Sequence, residues 1–235
     1  MKKLSSLSIF FPAYNDEKTI SGLVKNAYKY GALVAKKFEV IVIDDGSQDK
    51  TAEVLRQAQK EFPGLKIVTH HQNCGYGGAL KSGFANSSGD YIFYTDGDGQ
   101  YDVGELPLLV AKMDKEIAVV NGYKDGRQDT FFRFLAGKVY TFFLKLIFGI
   151  KIRDVDCDFR LIKKEVFEKV KLSFDSGAIC LELVKKIQDA GFKFAEVKVS
   201  HLPRKYGRSQ FFTFKRIWQT LVDDFNFWIL LHFKK

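Results

Sequence analysis

The chain has 235 residues, 46% of them hydrophobic and 28% charged, which is long enough for one sizeable α/β domain and too apolar for a disordered chain. A formal net charge of +9 points to an anionic partner: a phosphorylated ligand, an acidic membrane surface or a nucleic acid. Cys74, Cys157 and Cys180 are widely spaced and contain no CxxC pair, so neither a disulfide framework nor a zinc site is indicated, and a reducing compartment fits.

Leu7 to Phe11 reads as an apolar strand, ended by Pro12-Ala-Tyr14-Asn-Asp16 before a helical stretch from about Glu17 to Val34. Pro12, Asn15 and Asp16 interrupt the apolar run before a secretory signal could form, so no signal peptide is expected. Val40 to Ile43 is a second strand that closes on Asp44-Asp45-Gly46-Ser47, with a helix over Thr51 to Glu61. Lys66 to Thr69 is a third strand, followed by the glycine-rich opening of a helix, Asn73 to Ser87. Gly75-x-Gly77-x-x-Leu80 lacks the third glycine of a dinucleotide fingerprint, and no GxxxxGK[ST] loop occurs.

The fourth strand, Tyr91 to Tyr94, runs into Thr95-Asp96-Gly97-Asp98-Gly99-Gln100. Two carboxylates one residue apart on a glycine-flanked loop aim oxygens at one hard cation and leave its other positions to water and phosphate. A plain polar turn is the competing reading of a single DxD. An EF-hand loop counted from Asp96 fails, because its sixth and twelfth positions hold Tyr101 and Pro107. A helix over Leu106 to Met113 and a fifth strand, Ile117 to Val120, complete an alternation that predicts a mainly parallel, doubly covered sheet. Ligands of such sheets lie beyond the carboxyl ends of the strands, where Pro12, Asp45, Asp96 and Asn121 fall.

Phe131 to Phe148 is rich in Phe and Leu, with Arg133, Lys138 and Lys145 among them, as in a helix lying against a core or in a membrane interface; it is too interrupted to span a bilayer. Asp154-Val-Asp156-Cys-Asp158-Phe-Arg160 reads as a catalytic loop, a solvated charged loop being the alternative. Ile179 to Ala190 is an amphipathic helix, Phe194 to Val199 a strand, and Pro203 to Ser209 a basic turn. Phe211 to Phe233 is again amphipathic, and from His201 onward seven Lys/Arg face two Asp. The expected division is a domain over residues 1–210 and a basic amphipathic segment over 211–235.

Taken together, Pro12 to Asp16, Asp44 to Asp49, Asn73 to Ala79, Asp96 to Gln100, Asp154 to Arg160 and Arg204 to Ser209 resemble, in order, the motifs of family 2 glycosyltransferases of the GT-A fold, in particular the dolichyl- and polyprenyl-phosphate sugar synthases. The resemblance implies an inverting transfer of a hexose from a UDP- or GDP-sugar to a polyprenyl phosphate, peripheral on the cytoplasmic side of an anionic membrane. It implies that Pro12, Tyr14, Asp16 and Asp45 hold base and ribose. Asp96, Asp98 and Gln100 would hold Mg²⁺ or Mn²⁺, with Gly97 between them. Lys124, Arg133, Arg160 and Arg204 would serve the phosphates, and Asp154, Asp156 and Asp158 the chemistry. Departures are Asp16, where the family more often has Glu, Lys124 in place of an Arg, and Gly137 in place of a Ser. Rival readings are transfer to a sugar hydroxyl, which requires a true base, and a nucleotide-binding module without catalysis. Nucleic-acid binding lacks a recognisable motif and is not expected.

Overall fold

The computed structural model describes residues 3–124, 141–206 and 213–233. Along the chain these form β1 (Leu4–Ala13), α1 (Ile20–Val34), β2 (Ala35–Asp44), α2 (Thr51–Glu61), β3 (Leu65–Thr69), α3 (Gly75–Asn86), β4 (Tyr91–Thr95), α4 (Leu106–Lys112) and β5 (Ile117–Lys124). A helix described over 141–148 (α5) is followed by β6 (Phe159–Lys163), α6 (Val166–Lys169), α7 (Ile179–Asp189), β7 (Lys193–Val199) and α8 (Phe214–Phe233). The expected α/β fold with a mainly parallel sheet is what forms: seven strands in the order β3-β2-β1-β4-β6-β5-β7.

The buried runs in the sequence have a two-sided environment as their cause. Ile9, Phe11, Val40 and Val42 join one core cluster with Leu23 and Val24 of α1, Leu55 of α2 and Leu109 of α4. Their alternates Phe10, Ile41 and Ile43 join another with Leu80 of α3 and Leu183 of α7 on the opposite face. Side chains alternate along a strand, so a sheet covered on both faces needs unbroken apolar strands. Gly83 lets α3 lie close to the sheet, since a Cβ there would stand 2.2 Å from the Phe10 ring.

β6 is the strand that the sequence reading passed over, and it determines where the site lies. It is antiparallel to both β4 and β5, whereas the other pairings are parallel. The loop entering β6 therefore arrives at the edge where β1, β2, β4 and β5 end. Thr95 pairs with Phe159, so the register carries Asp158 opposite Asp96.

The C-terminal helix is not a free appendage. Phe227 is 1% exposed and stacks on Phe148 of α5 at 5.7 Å between ring centroids, within a cluster that also holds Val155, Leu181 and Val184. The outer faces of α5 and α8 stay open: Phe142, Phe143, Leu146 and Ile147, with Phe214, Trp218, Leu221 and Phe225, are all exposed. No helix among the described residues is long and apolar enough to cross a membrane.

Candidate active site

The first wall of the site is a corner locked by backbone bonds. Asn15 adopts φ 59°, a left-handed conformation that Asn tolerates, and its Oδ1 accepts from Gln48 N at 2.8 Å. Asp16 N donates to Thr51 Oγ1 at 2.9 Å, and Tyr14 N donates to Asp16 Oδ2 at 3.0 Å. The turn after β4 is pressed against this corner: Gly97 N donates to Pro12 O at 3.1 Å. A Cβ on Gly97 would stand 2.7 Å from that carbonyl and 2.9 Å from Asp16 Oδ2, so glycine is required for the approach.

Three elements then bring carboxylates together. Asp96 Oδ1 accepts from Tyr76 OH at 2.7 Å. Burial, with the charges of Asp158 and Asp98 adding to it, raises the Asp96 carboxyl well above the usual range. Burial likewise raises Asp98, against the pull of Arg204, whose Nη2 donates to Asp98 Oδ2. Asp16 is pushed up to about 7, chiefly by burial and partly by Asp98. Acids held under such strain favour either a proton or a compensating cation. The donor set is oxygen-only, and Lys124 and Arg204 leave its carboxyls still raised, which fits a hard divalent ion such as Mg²⁺ or Mn²⁺.

The acidic loop forms the far wall. Lys124 Nζ is enclosed there, donating to Asp156 O at 2.7 Å and lying 3.7 Å from Asp154 Oδ2. Asn121 Nδ2 donates to Asp154 O at 2.9 Å. Beneath the loop Arg160 is fully buried; it donates to Asn121 Oδ1, to Tyr94 OH at 2.6 Å and to Val155 O, with Asp158 Oδ1 at 3.5 Å. One guanidinium thus ties β4, β5 and the loop together.

The model of the family described as glycosyl transferase family 2 matches residues 8–171. The chain belongs to glycosyl transferase family 2. An undecaprenyl-phosphate 4-deoxy-4-formamido-L-arabinose transferase of Enterobacter sp. (strain 638) is 28% identical over 225 residues, covering 95% of this chain and 67% of that relative. The protein of the same name in Edwardsiella ictaluri (strain 93-146) is 28% identical over 218 residues, 92% of this chain and 66% of the relative. This family 2 chain therefore spans about two thirds of the length of the curated relatives it matches. Among solved structures, glucosyl-3-phosphoglycerate synthase from Mycobacterium tuberculosis in complex with Mn²⁺, UDP and phosphoglyceric acid superposes with a TM-score of 0.70 at 18% identity, covering 97% of this chain and 78% of that one. That likeness establishes the GT-A fold.

Several residues singled out in the sequence have different surroundings from those expected. Gln100, expected as a metal ligand, turns its Nε2 to Leu202 O at 3.0 Å, while its own carbonyl accepts from Leu202 N at 2.7 Å. It thereby holds the segment that carries Arg204 against the turn after β4. Arg160, expected among the phosphate contacts, has no exposed surface and acts inside the fold. Asp45, expected at base and ribose, is itself buried, its Oδ1 accepting from Cys74 N at 2.8 Å and its Oδ2 from Gly75 N at 3.1 Å. Asp156 contributes its carbonyl to Lys124. Arg133, Gly137 and Gly207 to Ser209 lie outside the described residues. Tyr76 was not anticipated; a tyrosine between the glycines that open α3 was the available signal.

Proposed function

We propose that the chain transfers a hexose, with inversion, from a UDP- or GDP-sugar to a polyprenyl phosphate, with Mg²⁺ or Mn²⁺ as cofactor. The observation that carries the reading is the meeting, at one sheet edge, of Asp96, Asp98 and Asp158 with two cations, Lys124 and Arg204, set against them. The names of the relatives, which specify undecaprenyl phosphate, and the Mn²⁺ and UDP of the structural neighbour support acceptor and donor class.

Asp96 and Asp98 are the residues that would hold the cation, and what it supplies when bound is stabilisation of negative charge on the leaving diphosphate. Arg204, paired with Asp98, is positioned to share that task once a diphosphate is present. A phosphate monoester with a second pKa of about 6 is already a dianion at neutral pH, so the acceptor needs little deprotonation. Asp154, held beside Lys124, then orients the attack more than it abstracts a proton. Lys124 supplies the acceptor side with a point charge, where an Arg would have given a bidentate contact.

The open faces of α5 and α8 supply a route to a lipid acceptor: aromatic residues at the acyl boundary, and the basic residues of the tail toward anionic headgroups. We take the protein to be peripheral, on the cytoplasmic side of the membrane, and these open faces support the peripheral part of that placement. The test is a panel of radiolabelled UDP- and GDP-sugars with Mn²⁺, offered detergent-solubilised polyprenyl phosphate or oligosaccharides. Label on the lipid phosphate is the expected result; label only on saccharide hydroxyls would replace this acceptor class with the rival one.

A further inference from the structure

Each carboxylate of the turn after β4 has one oxygen tied down, but by different means. Asp98 Oδ1 accepts from Gln100 N at 2.9 Å, a bond inside the turn itself. Asp96 Oδ1 accepts instead from Tyr76 OH at 2.7 Å, twenty residues away on the first turn of α3. The orientation of Asp96 therefore depends on a second element, and that of Asp98 does not. We propose that Tyr76 is a positioning residue for the cation: its hydroxyl fixes the rotation of the Asp96 carboxylate and leaves Oδ2 to the metal. The inference rests on the reading above that Asp96 and Asp98 hold Mg²⁺ or Mn²⁺.

A hydroxyl can orient a ligand only if it is itself held, and the surroundings of Tyr76 hold it. The glycines on either side let the backbone of Phe174 and Asp175 lie directly on the opening turn of α3. A Cβ on Gly75 would stand 2.4 Å from Asp175 O, and one on Gly77 would stand 2.3 Å from Phe174 O. Gly77 N donates to Asp175 O at 2.8 Å. That segment is fastened in turn from two helices. Glu182 of α7, which has no exposed surface, accepts from Ser173 N at 2.9 Å and from Phe174 N at 3.1 Å, and Lys81 Nζ of α3 donates to Ser173 O at 3.1 Å. The Tyr76 ring packs against the core cluster that holds Leu80, Phe84 and Ile179. Ring and backbone are thus both fixed, and the hydroxyl is delivered to one carboxylate oxygen. Hydrogen bonds of this kind to ligating carboxylates set the direction of the ligand lone pairs and are worth a large part of the metal affinity. Phenylalanine would fill the same space without the donor. A bond that only braced α3 against β4 would matter to stability and leave cation affinity alone, and that difference is measurable.

The test compares wild type and Tyr76→Phe as full chains, titrated with Mn²⁺ in the presence of UDP or of GDP, with free Mn²⁺ followed by its electron paramagnetic resonance signal. Tyr76→Phe is expected to bind Mn²⁺ about 10- to 100-fold more weakly, with circular dichroism unchanged. In transfer assays the Mn²⁺ concentration giving half the maximal rate should rise by the same factor, while kcat at saturating Mn²⁺ is largely recovered. Equal Mn²⁺ affinity in the two proteins, or a loss of affinity that comes with altered circular dichroism, would overturn the proposal. So would a kcat that stays low at saturating Mn²⁺ with the half-maximal concentration unmoved. Failure of the transferase reading shows elsewhere, as a wild type that binds Mn²⁺ with a nucleotide yet carries no label to lipid phosphate.

Discussion

Replacing Arg160 by Met tests whether the guanidinium beneath the acidic loop holds the site together. The side chain is fully buried, and it donates to Tyr94 OH at 2.6 Å, to Asn121 Oδ1 and to Val155 O, with Asp158 alongside. Removing one partner of a buried ion pair costs about 3–5 kcal/mol. The acceptors left at Asn121 and Val155 add about 1–3 kcal/mol each where they find no other donor, while the apolar methionine recovers part of the loss. A net loss of about 4 kcal/mol is expected, within the 5–15 kcal/mol of a typical domain. With a urea slope of about 2.5 kcal/mol/M, the unfolding midpoint falls by about 1.5 M. The stranded charge is Asp158, so adding Asp158→Asn to Arg160→Met should restore at least about 1 kcal/mol, a coupling that a double-mutant cycle reads directly. A loss under about 1 kcal/mol in the single variant, or additive effects in the cycle, would refute this account of Arg160.

Asp16 has its carboxyl raised to about 7 by burial, so its contribution to stability is complete below about 3.8 and is lost as pH rises through about 7. In EDTA the wild type should lose up to about 4 kcal/mol over that window by this group alone, and Asp16→Asn should reduce the loss in urea unfolding from pH 4 to 8 by that share, leaving the part due to Asp96 and Asp98. Asp154→Asn should reduce kcat much more than it weakens nucleotide binding measured by calorimetry; equal losses in both would mean that the residue is structural. Serine at Phe142, Leu146, Trp218 and Phe225, all exposed on α5 and α8, should abolish sedimentation with anionic vesicles without lowering stability. Wild-type binding should weaken with salt, each basic residue near the surface contributing about 1 kcal/mol. Binding that is indifferent to both changes would remove these helices as the anchor.

The parallel half of the fold was legible because its strands are unbroken apolar runs ending in Gly- and Asp-rich turns; α2 falls where the pattern put it, Thr51–Glu61. β6 was hidden by Arg160, a charge in the middle of Phe-Arg-Leu-Ile that only a buried partner network makes compatible with a central strand. With β6 missed, sequence could group Asp154, Asp156 and Asp158 but could not place Asp158 opposite Asp96, since that depends on antiparallel register. Gln100 is expected at the metal by the family resemblance; the contact of its Nε2 with Leu202 O spans about a hundred residues and leaves no local trace. Residues 211–235 read as a separate segment because periodicity shows an apolar face but not what covers it, here Phe148 and Phe174 around Phe227.

The central claim, metal-assisted transfer to a lipid phosphate at the Asp96–Asp98 edge, is tested most directly by the partition of radiolabelled sugar into an organic phase. Wild-type protein with polyprenyl phosphate, the accepted sugar nucleotide and Mn²⁺ should carry label into the lipid fraction. Chelation by EDTA, or Asp98→Ala in a protein whose circular dichroism is unchanged, should reduce that transfer to background. Transfer that continues undiminished under either condition would contradict the account.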